Sequence, residues 1–416
     1  MMNFYNFSFY KLYTPYTLYS LYTLYNFGFS MANRTLTRGL AAGLALGGLW
    51  IAGRAIGHLG GQALVNWKLV RALSLLTAAR RSEQWPEPAA RVREAYAGMV
   101  HQSEHLIARY VGFRLPEPLQ SIHVFGRQEW VEANITNFRF LFDPLEEAYR
   151  QAWTDSSIGE AVRGFSQVFL STQIGLLLGY LARRVLGQYD LSLLGREPIT
   201  TGRLYFVQPN IVEIEQRLQL PAEQFRLWIA LHETTHAYEF EAHPWVRDHM
   251  NALLTGYLAS ISNELLSVRA GAGAIGSMLK RLRENMFNTR YMIELMMNPE
   301  QRRLFRQLQA LMCLMEGYSN HVMNAVGRYL LPQYDLLKQR FEARAKHRTP
   351  AEQLFSRLTG LDIKVEQYEL GERFVNHVVE RGGIELINRA WRSPWHLPSL
   401  DEVHDPERWI ARMRAA

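Results

Sequence analysis

A mainly helical α+β domain with a small sheet is the fold class this chain predicts, on three observations. Segments of helical composition follow one another from residue 62 onward, strand-like runs are few, and the composition is that of a folded globular protein. Of 416 residues, 48% are hydrophobic and 20% are charged, enough for one large core or two smaller ones. The single cysteine, Cys313, excludes an intrachain disulfide framework and a thiolate-rich metal site, and it suits a reducing compartment.

Three stretches follow in chain order. Residues 1–30 place tyrosine at every third position from Tyr10 to Tyr25 among Asn, Phe, Thr, Ser and Leu, a low-complexity pattern that builds no core. Met31 offers an alternative start, in which case this stretch is not part of the native protein. Residues 31–61 are basic, apolar and glycine-rich, with Gly39, Gly43 and Gly47 and then Gly53, Gly57 and Gly61 spaced four apart. The uncharged part, Gly39 to Gly53, is shorter than the roughly 20 residues of a membrane-spanning helix. Extending it would bury Arg54 and His58 in lipid, and no small-x-small cleavage site stands out near Ala52. Packing on the domain and contact with a membrane surface both stay open for this segment. A cytoplasmic protein, membrane-associated in the second case, is the expectation.

The net charge of +7 belongs to this end of the chain. Residues 1–82 hold eight basic and no acidic residues, leaving 38 basic against 39 acidic in the remainder. With no recognised nucleic-acid motif beside it, that basicity does not predict a nucleic-acid face on the folded part, and no nucleic-acid partner is expected.

From residue 62 to 416 the chain reads as one domain. Helical composition covers Trp67 to Arg80, Pro88 to Tyr110, Ile158 to Leu186, Pro221 to Phe240, His249 to Val268, Ala274 to Glu284, Pro299 to Leu330 and Ala351 to Leu358. Ser121 to Phe125 and Arg203 to Val207 are the clearest strands, and the second is a candidate sheet edge for an extended peptide. Gly271 to Gly276 is glycine-rich but lacks a framing strand and phosphate-binding Lys, so it reads as a loop.

Within the Pro221 to Phe240 helix stands His232-Glu233-Thr234-Thr235-His236. Histidines four apart share one helix face and can reach one metal ion. Glu233 then lies beside the ion, where it can act as a general base on water and return the proton to a leaving amine. Short motifs recur by chance, so a third ligand carries the weight. His243 would sit about 10 Å further along the axis, too far to share the ion, and Pro244 ends the helix there. The pattern with Gly three and His six residues after the second histidine is absent, since Glu239 and Ala242 occupy those positions. Glu264, on a later helix, reads as an ordinary helix-surface carboxylate. Glu316 is the strongest candidate, because it interrupts the apolar run Leu311 to Met323, where a lone carboxylate is costly to bury. An ion pair with a basic residue is the alternative for it. Asn320, one turn on, is placed to hydrogen-bond the back of a ligand imidazole. Tyr318, His321 and Tyr238 are the candidate oxyanion donors. Cys313, alone in an apolar helix, reads as a small core residue.

The segment His232 to Phe240, with Trp245 and Glu316-Gly317-Tyr318 downstream, resembles the zincin-like metallopeptidase family of actinobacteria and chloroflexi. Its members carry the labels hydrolase and coenzyme F420 biosynthesis-associated protein. Asn66-Trp67, Gly126 to Trp130 with Asn134, and Leu186 to Asp190 extend the similarity over most of the chain from residue 62. The resemblance implies a zincin-like, mostly helical fold and one Zn2+ ion per chain, and it leaves the substrate undefined. Where the family tends to show Asp four residues after the ligand Glu, this chain has Asn320. The expected activity is therefore zinc-dependent hydrolysis of a peptide or amide carbonyl, with His232, His236 and Glu316 as ligands and Glu233 as base. The alternatives are a zinc amidohydrolase acting on a non-peptide substrate, and a non-catalytic binding or assembly protein with a structural metal.

Overall fold

Apolar helices that must cover one another, and a few strands that must be covered by them, account for the architecture. The computed structural model describes residues 63–79, 90–152, 157–190, 202–269, 297–346 and 361–415. The expected helices at 274–284 and 351–358, the loop at 271–276 and residues 1–62 lie outside the described residues.

Helix α1 (Trp67–Ala78) is capped by Asn66, whose side chain accepts from Leu69 N at 3.1 Å. Then come α2 (Ala90–Val111), strand β1 (Ile122–Phe125), α3 (Arg127–Ala152) and α4 (Ser157–Ala182). Strands β2 (Gly187–Asp190) and β3 (Arg203–Val207) lead into α5 (Gln208–Leu218), α6 (Ala222–Glu241) and α7 (Pro244–Arg269). The long α8 (Pro299–Leu330) starts from a capping box formed by Asn298 and Gln301, with Pro299 in its first turn. After α9 (Tyr334–Lys346), α10 (Leu361–Ile387) is broken at Gly382 and Gly383, the latter at φ 74°, a conformation that favours glycine. Two short 3-10 turns, α11 (Leu400–His404) and α12 (Pro406–Ala415) finish the described chain. Among the described residues no helix is long and apolar enough to cross a membrane. The fold is mainly helical with a small sheet, as expected.

The sheet corrects one expectation. Its order is β1-β3-β2, with β1 parallel to β3 (Ile122 opposite Leu204) and β2 antiparallel to it (Gly187 opposite Phe206). The strand Arg203–Val207 is therefore central and cannot be the edge that receives a peptide. Its run Leu204-Tyr205-Phe206-Val207 is buried throughout, as a strand covered on both sides must be. The edge on the α6 side is β2, a strand too short and polar to read as one.

Two hydrophobic clusters form. One joins α1, α3, α4 and α7 through residues such as Trp130, Phe138, Leu178 and Tyr257. The other gathers α2, the sheet, α6, α8 and α10 around Phe206, Trp228, Leu231, Leu314 and Phe374. Helices α8 and α10 cross almost backbone to backbone. A Cβ on Gly317 would stand 2.2 Å from the Gly371 carbonyl oxygen, and one on Gly371 would stand 2.0 Å from that of Cys313. This crossing sets the position of Glu316, the residue next to Gly317.

Candidate metal centre

Helix α6 is buried without interruption from Trp228 to Phe240, although six of those residues are His, Glu or Thr. A surface helix buries one stripe; a helix buried all round must satisfy its polar groups inside the protein. His232 and His236 present their rings on one face, with centroids 4.8 Å apart and planes at 87°. Helix α8 brings Glu316 to them from the other side. Its Oε2 lies 3.9 Å from His232 Nε2 and 3.8 Å from His236 Nε2. The three residues are 6%, 1% and 3% exposed in the order His232, His236, Glu316.

These distances test the fit of a metal. At 3.8 and 3.9 Å the carboxylate oxygen is beyond hydrogen-bond distance of either imidazole nitrogen, leaving a gap among the three groups. One ligand atom from each residue lies within 4.8 Å of the others, and two imidazoles with a carboxylate are a donor set suited to zinc. The residues present fit a divalent ion. The two imidazoles face Glu316 Oε2 across this gap.

Glu233 is 1% exposed and lies against the edge strand. A Cβ on Gly187 would stand 2.5 Å from its Cγ and 2.7 Å from its Cδ and Oε1. The strand is itself held by a buried network. Trp130 Nε1 donates to Gln188 Oε1 at 2.7 Å, Gln188 Nε2 donates to Asn134 Oδ1 at 3.3 Å, and Asn134 Nδ2 donates to the Trp130 carbonyl at 2.8 Å. The stretches Gly126 to Trp130, Asn134 and Leu186 to Asp190 thus meet behind the general-base candidate. At the far end of β2, Tyr189 donates to Glu241, which also accepts from Gly202 N and Arg247.

The back of His236 is occupied by two residues that sequence reasoning did not single out. His236 Nδ1 is 2.8 Å from Glu239 Oε2 and 3.0 Å from Ser319 Oγ, and Ser319 donates to Glu239 Oε1 at 3.0 Å. Burial pushes the Glu239 carboxyl well above the usual carboxylate range, and the Ser319 hydroxyl draws it partly back. The available signal was the i,i+3 spacing of His236 and Glu239. Asn320 is buried one turn beyond Glu316, but its amide nitrogen finds no hydrogen-bond partner among the described residues.

The three oxyanion candidates are each engaged by partners on other elements. Tyr318 donates to Asn388 Oδ1 at 2.8 Å, Tyr238 donates to the Glu104 carbonyl at 2.8 Å, and His321 pairs with Tyr110 at 2.6 Å and Asn376 at 2.7 Å. Tyr238 and Tyr318 each follow a ligand by two residues, which turns them to the opposite side of their helices. His243 sits between α6 and α7, apart from the trio, its ring stacked on Trp391 at 5.9 Å and edge-on to Phe113 at 5.3 Å. Glu264 falls on α7, and its side chain lies outside the described residues. Burial pushes the Cys313 thiol up to about 12, with Glu316 adding to the effect, so it is an inert core residue.

The family model described as zincin-like metallopeptidase matches residues 65–410. A crystal structure from Chloroflexus aurantiacus, reported as "a putative hydrolase with a novel fold", is similar at 45% identity and a TM-score of 0.62, covering 85% of this chain and 99% of that one. None of the curated proteins is significantly similar to the chain.

Proposed function

The chain belongs to the zincin-like metallopeptidase family, and from that premise we propose that it is a zinc-dependent hydrolase of peptide or amide bonds. The observation that carries the proposal is the buried convergence of His232, His236 and Glu316 with Glu233 at its side. A bound zinc ion would supply Lewis acidity, acidifying water and polarising a carbonyl.

The residues divide the work by position. His232 and His236 would hold the ion through Nε2 and Glu316 through Oε2, the atoms that face one another. Glu233, one residue from the first histidine, takes the proton of the attacking water and returns it to the departing amine. The backbone of Gly187 closes off one side of its carboxylate, which limits the orientations that Glu233 can adopt. Asn320, on the Glu316 face of α8, is buried one turn from the ligand carboxylate and would be available to a group bound beside it. Exclusion of water by the surrounding apolar residues strengthens each of these charge interactions.

Glu233→Gln tests the reading, with zinc content measured by mass spectrometry and turnover measured on a fluorogenic peptide and amide library. One zinc per chain should be retained while hydrolysis falls by about 10²- to 10⁴-fold, the usual contribution of a positioned base. Hydrolysis at the wild-type rate would refute the role of Glu233. Zinc that is bound by a wild-type chain inert toward the whole library would favour a structural metal.

A further inference from the structure

Resting on the metal-dependent reading above, we infer that Glu239 and Ser319 are the positioning pair of the metal centre. Glu239 fixes the tautomer and ring orientation of His236, and Ser319 ties that bond to the helix that supplies Glu316.

An imidazole offers a lone pair at Nε2 only when its proton resides on Nδ1, and the partner of Nδ1 decides this. Here that partner is a carboxylate oxygen, Glu239 Oε2, at 2.8 Å. It comes from the same helix three residues on, so the geometry is built into α6 and needs no long-range adjustment. The second oxygen is also engaged, accepting from Ser319 Oγ at 3.0 Å, and the serine oxygen stands 3.0 Å from His236 Nδ1. Ser319 follows Glu316 by three residues and shares its face of α8. The three side chains therefore close a ring between the helix carrying both histidines and the helix carrying the glutamate. Glu239 and Ser319 are buried, at 1% and 0% exposure. With both oxygens turned toward the back of His236, Glu239 does not share the role of Glu233. It acts through the ligand, by orienting it and by raising its basicity.

The test uses the full chain stripped of metal by chelation, with Zn2+ titrated against a chromophoric competitor and Co2+ followed by its visible absorption. Glu239→Ala should weaken zinc binding by about 10- to 100-fold, the range for loss of a group that orients a ligand. It should also change the cobalt band, a signature that a purely structural role would leave alone. Glu239→Gln keeps an oxygen that accepts from Nδ1 but replaces the oxygen that accepts from Ser319 by an amide nitrogen, so it should retain the shape of the cobalt band and weaken zinc less. Ser319→Ala should fall between wild type and Glu239→Ala. Wild-type zinc affinity and an unchanged cobalt spectrum in folded Glu239→Ala would overturn the assignment alone. If Glu239→Ala does not fold, the isosteric Glu239→Gln decides: weakened binding with an unaltered circular dichroism spectrum upholds the assignment, and wild-type binding overturns it. A wild-type chain that takes up neither ion refutes the metal reading itself, and the assignment falls with it.

Discussion

Replacing Gly187 by alanine separates the general base from the metal ligands. The new methyl would sit 2.5 Å from Glu233 Cγ and 2.7 Å from Cδ and Oε1, where ordinary contacts are 3.4–4 Å. Relief requires a displacement of about 1 Å, and the atoms that must yield include Cγ, close to the backbone, as well as the mobile end of the side chain. Glu233 is 1% exposed, so it has little space to retreat, while Gly187 is held by strand pairing to β3. A misplacement of about 1 Å can cost about 10²-fold in rate, equivalent to about 2.7 kcal/mol in transition-state stabilisation. The overpacking should also cost about 1–3 kcal/mol in stability. The assay is kcat and KM on the best amide substrate, with zinc content and thermal unfolding measured on the same preparation. The expected result is a lowered kcat with one zinc retained and a Tm reduced by a few degrees. Wild-type kcat with unchanged Tm would refute the close approach of β2 to the base.

Two further predictions concern the scaffold. Gly317→Ala places a methyl 2.2 Å from the Gly371 carbonyl oxygen, so α8 and α10 must separate; a loss of about 3 kcal/mol or more in urea unfolding is expected, and wild-type stability would contradict the crossing. Burial lowers the His243 pKa to about 4 from its ordinary 6.5. Its neutral ring contributes full stability above the unfolded pKa, and the contribution is lost as pH falls from about 6.5 toward about 4, because the unfolded chain takes up the proton first. The shift corresponds to at most about 3 kcal/mol; His243→Phe should remove that part of the pH dependence, and equal slopes for the two proteins between those pH values would exclude it.

The parts of the site that were legible before folding are those written along one helix. The i,i+4 spacing of His232 and His236 follows from helix geometry alone, and Glu316 was conspicuous as a carboxylate within an apolar run. Most helices around them were equally plain, whereas α3, α5, α9 and the segments beyond residue 361 were not. Helix α3 runs through Pro144, which reads as a terminator, and α10 carries the Gly382-Gly383 break. Strand β2, with Gly187 and Gln188 at its start, has little strand propensity and exists because it pairs with β3.

Side chains on different elements meet where packing places them, and local pattern carries no record of that. Tyr238, Tyr318 and His321 are close to ligands in number, yet they bond to Glu104, Asn388, Tyr110 and Asn376 on other elements. Gly187, Glu239 and Ser319 looked ordinary and prove to surround Glu233 and His236. The chemistry of the ligands is a short-range property, set by residue type and the 3.6-residue turn. Which carboxylate faces the two imidazoles, which hydroxyl closes behind the histidine and which strand forms the edge are long-range properties. They follow from the crossing of α8 with α10 and the pairing of β2 with β3, contacts between residues far apart in the chain.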